Sequence, residues 1–293
     1  MDTESLHKST KPVVDIGVAC NIMQSYNWWV EVMQMLLQET RLGNIEIGTI
    51  RAVGSALPDF NKNNVIGNSV KRLSLTDYNR TTVVKGFLDG GADYIFWLDD
   101  DTAPPNNAIS RLLASGRDFI GGVYYLPAKP FNPIAYKRDH ENGLYQYVYG
   151  YPEGALLQVD AIGFGCTLVH RSVYEKIRDS HTVFVRQNGS LIPVHNSQLQ
   201  KPIVKKHGKP EKPYIRAGVY HEQVTQQEEG DTRQFPFYQL EHGRTEDLYF
   251  CELAESVGIK PWLDTTVACT HFKIRGAGHE DYKREQMESE GLI

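Results

Sequence analysis

The sequence predicts an α/β fold: a mixed, mainly parallel sheet with helices on both faces, plus a β-hairpin and long loops on one side. Three observations predict it. Apolar runs of strand length alternate with helix-length segments through the first 125 residues, the pattern of strands joined by crossover helices. Tyr94 to Leu98 is a short apolar and aromatic run that reads as a strand buried on both faces. That run ends abruptly in Asp99-Asp100-Asp101, at the carboxyl edge where open α/β sheets bind ligands.

Taken in order, Val13 to Ala19 is the first strand, with Cys20 and Asn21 at its end. Tyr26 to Gln38 is an amphipathic helix with Trp29, Val32, Met33, Leu36 and Leu37 as its expected packing face. Ile45 to Ile50 is the second strand, and residues 54–75, rich in Asn, Gly and Ser, form a long loop. Asp77, Tyr78, Asn79 and Arg80 open a helix running to Leu88, stopped by Gly90 and Gly91. The central strand 94–98 follows, then a helix over 106–114 opening after Pro104-Pro105, then the strand Phe119 to Tyr124.

Beyond Pro127 the texture changes. Pro133 to Lys137 and Leu144 to Tyr149 flank Asn142-Gly143 and predict a hairpin. Asp160-Ala161-Ile162-Gly163-Phe164-Gly165-Cys166 is glycine-punctuated, allowing close approach of a ligand or a strained turn. Cys166 to His170 is a strand leading into a helix at 172–177. From 180 to 240 no regular pattern is read, and Lys201, Lys205, Lys206, Lys209, Lys212 and Arg216, interleaved with prolines, suggest a flexible basic loop. A helix from Glu246 to Val257, stopped by Gly258, precedes the strand Pro261 to Cys269, with His271 just past its end.

The totals bound the function. A chain of 293 residues buries about three quarters of its unfolded surface, so no disulfide or structural metal is required for stability. A net charge of −5 argues against a global field attracting nucleic acid or anionic membrane. Cys20, Cys166, Cys251 and Cys269 share no CxxC spacing and read as reduced thiols of a cytoplasmic protein. No apolar run reaches membrane-spanning length, and the first residues lack a signal-peptide core. The expected organisation is a tail over 1–12, one catalytic domain over 13–275 (halves 13–125 and 126–275) and a charged tail over 276–293.

Four stretches carry candidate chemistry. Adjacent carboxylates repel by about 4 kcal/mol per close pair at an effective dielectric near 20, which a divalent cation would relieve. The simpler alternative for Asp99 to Asp101 is a solvated turn capping the next helix. Thr245-Glu246-Asp247 is a capped helix start whose acids suit the helix dipole, or one whose carboxylate serves as a general base. His271 is either a hydrogen-bonded structural histidine or a metal or phosphate ligand. Lys205 and Lys206 are part of a solvated loop, a contact to a diphosphate, or an anionic-acceptor patch. No GxGxxG dinucleotide fingerprint, GxxxxGK[ST] phosphate loop, HExxH or GxSxG is present.

In this order the stretches resemble a glycosyltransferase of the GT-A fold, similar to the broad family-2 type of nucleotide-sugar enzymes. The matching pieces are Tyr78-Asn79-Arg80, Asp99-Asp100-Asp101 as an Asp-x-Asp motif, and Asp160 to Cys166 as an acceptor-side segment. Thr245-Glu246-Asp247 with Tyr249-Phe250-Cys251, and then His271, complete the set. The resemblance spans residues 13–272. It implies Mn²⁺ or Mg²⁺ held by Asp101, Asp99 and His271, and a nucleotide-diphosphate sugar, UDP-sugar first, contacted by Asn21, Asp77, Asn79, Arg80, Asp99, Asp100, Lys205 and Lys206. Asp247, with Glu246 as second choice, would deprotonate an acceptor hydroxyl on a glycan, a small molecule or a modified nucleic acid, with inversion. The chain departs from the family in its Asn79-Arg80 order and in ending the first strand with Cys20-Asn21. The rival readings are a sugar-nucleotide-forming nucleotidylyltransferase and a catalytically silent sugar- or nucleotide-binding module.

Overall fold

The computed structural model describes residues 11–20, 26–54, 75–139, 141–187, 190–194, 213–216, 235, 237–239, 244–272 and 287. The first half is β1 (Val13–Cys20), α1 (Tyr26–Leu42), β2 (Glu46–Gly54), α2 (Leu75–Asp89), β3 (Tyr94–Asp99), β4 (Thr102–Ala103), α3 (Ala108–Ala114) and β5 (Phe119–Val123). The hairpin β6 (Ala135–Arg138) and β7 (Tyr145–Tyr147) follows, then β8 (Leu156–Gln158), β9 (Ala161–Ile162), β10 (Cys166–His170) and α4 (Arg171–Ser180). The last elements are β11 (Thr182–Gln187), β12 (Ser190–Val194), β13 (Pro213–Arg216), α5 (Glu246–Ser256), β14 (Trp262–Ala268) and β15 (Thr270–His271).

The main sheet has seven strands in the order β2-β1-β3-β10-β5-β14-β8. β2, β1 and β3 run parallel, as do β5 and β14, while β10 lies antiparallel between β3 and β5 and β8 runs antiparallel at the far edge. This is the mixed, mainly parallel sheet of an α/β fold. Strand β3 explains why both faces are covered. Ile95 and Trp97 point into one core, with Val83 and Phe87 of α2, Tyr174 of α4 and Phe250 of α5. Phe96 and Leu98 point into the other, with Trp28 and Met35 of α1 and Ile109 of α3. Each such fully buried apolar side chain contributes about 1.5–3 kcal/mol. An unbroken apolar run is therefore what this strand position requires.

The hairpin forms where Asn142-Gly143 predicts it, with Arg138 paired to Tyr145 and Gly143 at φ 72, a conformation that suits glycine. Thr245 caps α5 as expected, its hydroxyl accepting from the Leu248 amide at 3.4 Å.

Two expectations are corrected. In α1 the buried face is Trp28, Val32, Met35 and Glu39, whereas Trp29, Met33 and Leu37 are half exposed. The helix is apolar on two sides, so its periodicity fits two phases. Glu39 decides between them, because its carboxylate accepts from the amide of Ser110 at 3.0 Å and from the Ser110 hydroxyl across the helix pair. Second, the region from 180 onward is not uniformly irregular: β11, β12 and β13 form a three-stranded antiparallel sheet in the order β12-β11-β13. The pairing of Gln187 with Ser190 marks the end of β11 nearest the start of β12.

Candidate active site

The site is assembled at the carboxyl end of β3, where the chain turns from Asp99 to Thr102. This turn is fixed from three directions. The indole Nε1 of Trp28 donates to the carbonyls of Asp99 at 2.9 Å and Thr102 at 3.0 Å. The Asp99 amide donates to the Gly165 carbonyl at 3.3 Å. β4 pairs with β15, matching Thr102 to His271, and the Phe272 amide donates to the Asp101 carbonyl at 2.6 Å.

The three adjacent aspartates consequently separate. Asp99 turns to Arg80, with Nη2 to Oδ1 at 2.7 Å. Asp100 is buried. Asp101 stays half exposed, and its Oδ2 meets His271 Nε2 at 3.1 Å. The repulsion that a cation was expected to relieve is thus relieved in part by a protein cation.

Arg80 is 1% exposed. Its Nη2 is also 3.6 Å from Asp247 Oδ1, and its Nε is 3.6 Å from Glu246 Oε1. The guanidinium sits over the rings of Trp97, Phe164 and Tyr238, at 5.3, 5.4 and 6.0 Å from their centroids. Burial alone would loosen its proton, but the charges of Asp99, Asp247 and Glu246 outweigh that, and it is held more firmly protonated than usual. One buried cation therefore binds the first aspartate of the triplet to the acidic start of α5, 147 residues further on (246 minus 99).

Asp247 sits in the first turn of α5, 18% exposed. Its Oδ2 accepts from the Phe164 amide at 3.3 Å, while Oδ1 is buried with no hydrogen-bond partner. Burial is the main cause raising its pKa well above the carboxylate range; Arg80 opposes this, and Glu246 and Asp99 add to it. Asp99 is raised as well, by burial first and against the pull of Arg80.

His271 donates from Nδ1 to the Tyr125 carbonyl at 2.7 Å. In the neutral ring this leaves Nε2 with a lone pair, directed at Asp101. Burial opposes the histidine's charge, but Asp101 and the Tyr125 carbonyl outweigh it and raise its pKa. Among the described residues no group of three or more His, Cys, Asp or Glu side chains is placed to hold a metal ion. The Asp101–His271 pair nevertheless offers two donors of the kinds such ions accept. Their donor atoms are 3.1 Å apart, and a Mg²⁺-type ion held there would complete its shell with water and substrate phosphate oxygens.

The glycine-rich segment admits a close approach from within the chain. A Cβ on Gly163 would lie 2.1 Å from the Tyr124 hydroxyl, and one on Gly165 would lie 2.8 Å from the same ring. The close approach these glycines permit is that of Tyr124, whose hydroxyl accepts from the Gly165 amide at 3.0 Å. Asp160 likewise faces an ion network: Lys260 at 2.8 Å, Lys137 at 3.8 Å and the Arg138 amide at 2.9 Å. Burial works against its ionised form, but these partners prevail and lower its pKa. A depressed folded pKa contributes stability that is present above the unfolded value near about 3.9 and lost as pH falls through the folded one. Asp160→Asn is expected to cost about 1–3 kcal/mol in urea titrations at pH 7. The cost should shrink progressively as pH falls below the unfolded value, as the wild type loses the same term on passing through the lowered folded pKa.

Of the other expected residues, Asp77 lies in the first turn of α2, and Asn79 is buried with its Nδ2 lacking a partner. Asn21, Lys205 and Lys206 lie outside the described residues. Sequence reading did not single out Trp28, Trp97, Tyr124 or Tyr238. Cys166, Cys251 and Cys269 are buried free thiols, and no helix among the described residues is long and apolar enough to cross a membrane.

No protein-family model and no curated protein matches the sequence. Among solved structures the chain is similar to A197 from STIV, with 16% identity, 90% of this chain on 86% of that one and a TM-score of 0.41. It is also similar to GalNAc-T7 with UDP, GalNAc and Mn²⁺, with 8% identity, 92% of this chain on 45% of that one and a TM-score of 0.41. A third is a glycosyltransferase involved in the glycosylation of the major capsid of PBCV-1, with 15% identity, 56% on 62% and a TM-score of 0.27. The chain spans less than half of the GalNAc-T7 structure.

Proposed function

We propose that this chain is a metal-dependent glycosyltransferase that moves a sugar from a nucleotide-diphosphate donor, a UDP-sugar first, to an acceptor hydroxyl with inversion. One observation carries the reading. A metal-competent pair, Asp101 and His271, and a base-competent carboxylate, Asp247, stand at the same sheet edge, linked by a single buried guanidinium through Asp99.

Asp101 and His271 would hold Mn²⁺ or Mg²⁺, with Asp99 beside them. The bound cation supplies Lewis-acid stabilisation of the diphosphate leaving group, a matter of several kcal/mol. Asp247 takes the acceptor proton at Oδ2, since Oδ1 is buried against Arg80. Its raised pKa improves the match between base and hydroxyl. The acceptor oxygen then attacks the anomeric carbon opposite the departing diphosphate. Arg80 acts through others: it positions Asp99 and Asp247 and prevents their mutual repulsion from opening the turn. Asp77, Asn79 and Asp100, with Asn21, Lys205 and Lys206, remain the donor-side candidates.

The test is slow hydrolysis of UDP-sugars, read as UDP release with Mn²⁺ and without acceptor. Hydrolysis should vanish with a chelator and return with excess Mn²⁺. Asp101→Ala and His271→Ala should each raise the Mn²⁺ concentration for half-maximal rate by about 10–100-fold. Pyrophosphate release from a nucleoside triphosphate would favour the nucleotidylyltransferase instead, and neither product would leave a binding module.

A further inference from the structure

The hairpin side of the cleft carries a row of tyrosines that the chemistry above leaves unused. Tyr136 of β6 and Tyr147 of β7 are a direct cross-strand pair with rings 5.2 Å apart, and Tyr147 is 6.1 Å from Tyr149. Tyr149 is 64% exposed, and its hydroxyl donates to Asn132 Oδ1 at 2.8 Å. The segment carrying Asn132 is bonded to the one carrying Tyr125, through the Leu126 amide donating to the Asn132 carbonyl at 2.8 Å and a bridge between Tyr125 and Pro133. Tyr125 in turn shares a 2.5 Å hydrogen bond between hydroxyls with Tyr151.

The row starts at both chemical centres. Tyr136 and its hairpin neighbour Tyr145 pack against the core containing Tyr249 and Phe250 of α5, the helix that carries Asp247, and the Tyr125 carbonyl accepts from His271. Its outer members are rings with polar edges, locked to one another, so that little side-chain ordering is left to a ligand. Such faces suit the C–H faces of pyranose rings, and their hydroxyls suit sugar hydroxyls. Electrostatics then separates a glycan from a polyanion. Among the described residues four carboxylates, Asp99, Asp101, Glu246 and Asp247, gather at the carboxyl end of β3, and Arg80, the guanidinium between three of them, is buried. The hairpin cations Lys137 and Arg138 are engaged by Asp160 and Glu255.

We propose that the acceptor is an uncharged oligosaccharide that lies along Tyr147, Tyr149, Tyr125 and Tyr151 with its reacting hydroxyl at Asp247. The proposal rests on the transferase reading and adds the acceptor class to it. The experiment uses the full chain with UDP and Mn²⁺ on an array of neutral glycans, beside a fluorescein-labelled twenty-residue oligothymidylate. At least one neutral glycan should bind. Tyr149→Ala should weaken it by about tenfold or more, Tyr149→Phe by no more than about threefold, and the exposed hairpin control Leu144→Ser by less than about twofold. Three results would overturn the acceptor class: no neutral glycan bound, glycan binding untouched by Tyr147→Ala and Tyr149→Ala, or tight salt-sensitive oligothymidylate binding lost in Tyr149→Ala. Wild type that binds glycan through these tyrosines but never releases UDP from any UDP-sugar would overturn the transferase reading alone, leaving the row as a glycan-binding surface.

Discussion

Replacing Asp247 by asparagine is expected to lower sugar transfer by about 10²- to 10⁴-fold, the range a positioned general base supplies. The fold should survive the change. The folded protein holds Asp247 with a raised pKa, mainly through burial, so folding disfavours its ionised form relative to the unfolded chain and a neutral amide relieves that cost. Urea titration should therefore find Asp247→Asn as stable as the wild type or slightly more so, while UDP release coupled to an acceptor collapses. Equal loss of stability and rate would make Asp247 a structural residue. The wild-type rate should rise with pH as Asp247 ionises. Because Glu246 raises the Asp247 pKa, Glu246→Gln should move that rise to lower pH.

The second large effect is expected at Arg80. Arg80→Ala removes the guanidinium from among Asp99, Glu246 and Asp247, and leaving buried charge unpaired costs about 3–5 kcal/mol. The loss should depend on pH with a definite sign. Without Arg80 the folded pKa values of Asp99 and Asp247, which it now holds down against burial, rise further. Stability then falls as pH rises through them, so the deficit is greatest at neutral pH and shrinks on acidification. Arg80→Lys should recover part of the stability, because it keeps the charge and loses the planar fork and the ring stacking. Chemical denaturation at pH 5 and pH 8 checks both statements. A deficit independent of pH would mean that the guanidinium serves mainly as packing.

The parts of the fold and site that were legible in the sequence are those whose cause is local. β3 is buried on both faces, so it is written as an uninterrupted apolar run, and its end is written as a sudden run of aspartate. α5 is legible because a capping threonine precedes two acids. α1 was legible as a helix but not in phase, since apolar residues occupy two of its faces and the deciding contact, Glu39 with Ser110, is long-range. The pairing of β11 with β12 was obscured by the prolines and lysines around it. Arg80 is the instructive case. Its position opening α2 was read correctly and its burial was not. The cage around it gathers Trp97, Phe164 and Tyr238 from three distant stretches, and no window of sequence contains them together. Gly163 and Gly165 follow the same logic: their need for space was visible, whereas the occupant, Tyr124, was 39 residues upstream of the first (163 minus 124).

The shared guanidinium also limits how this protein can be recombined. A hybrid that joins the segment from residue 126 onward to an unrelated amino-terminal half would inherit the acidic start of α5 without its counterion, and one made the other way would carry a buried cation with too few anions. Exchange of specificity by swapping halves should therefore fail unless the residue at position 80 and the acids at 246 and 247 travel together.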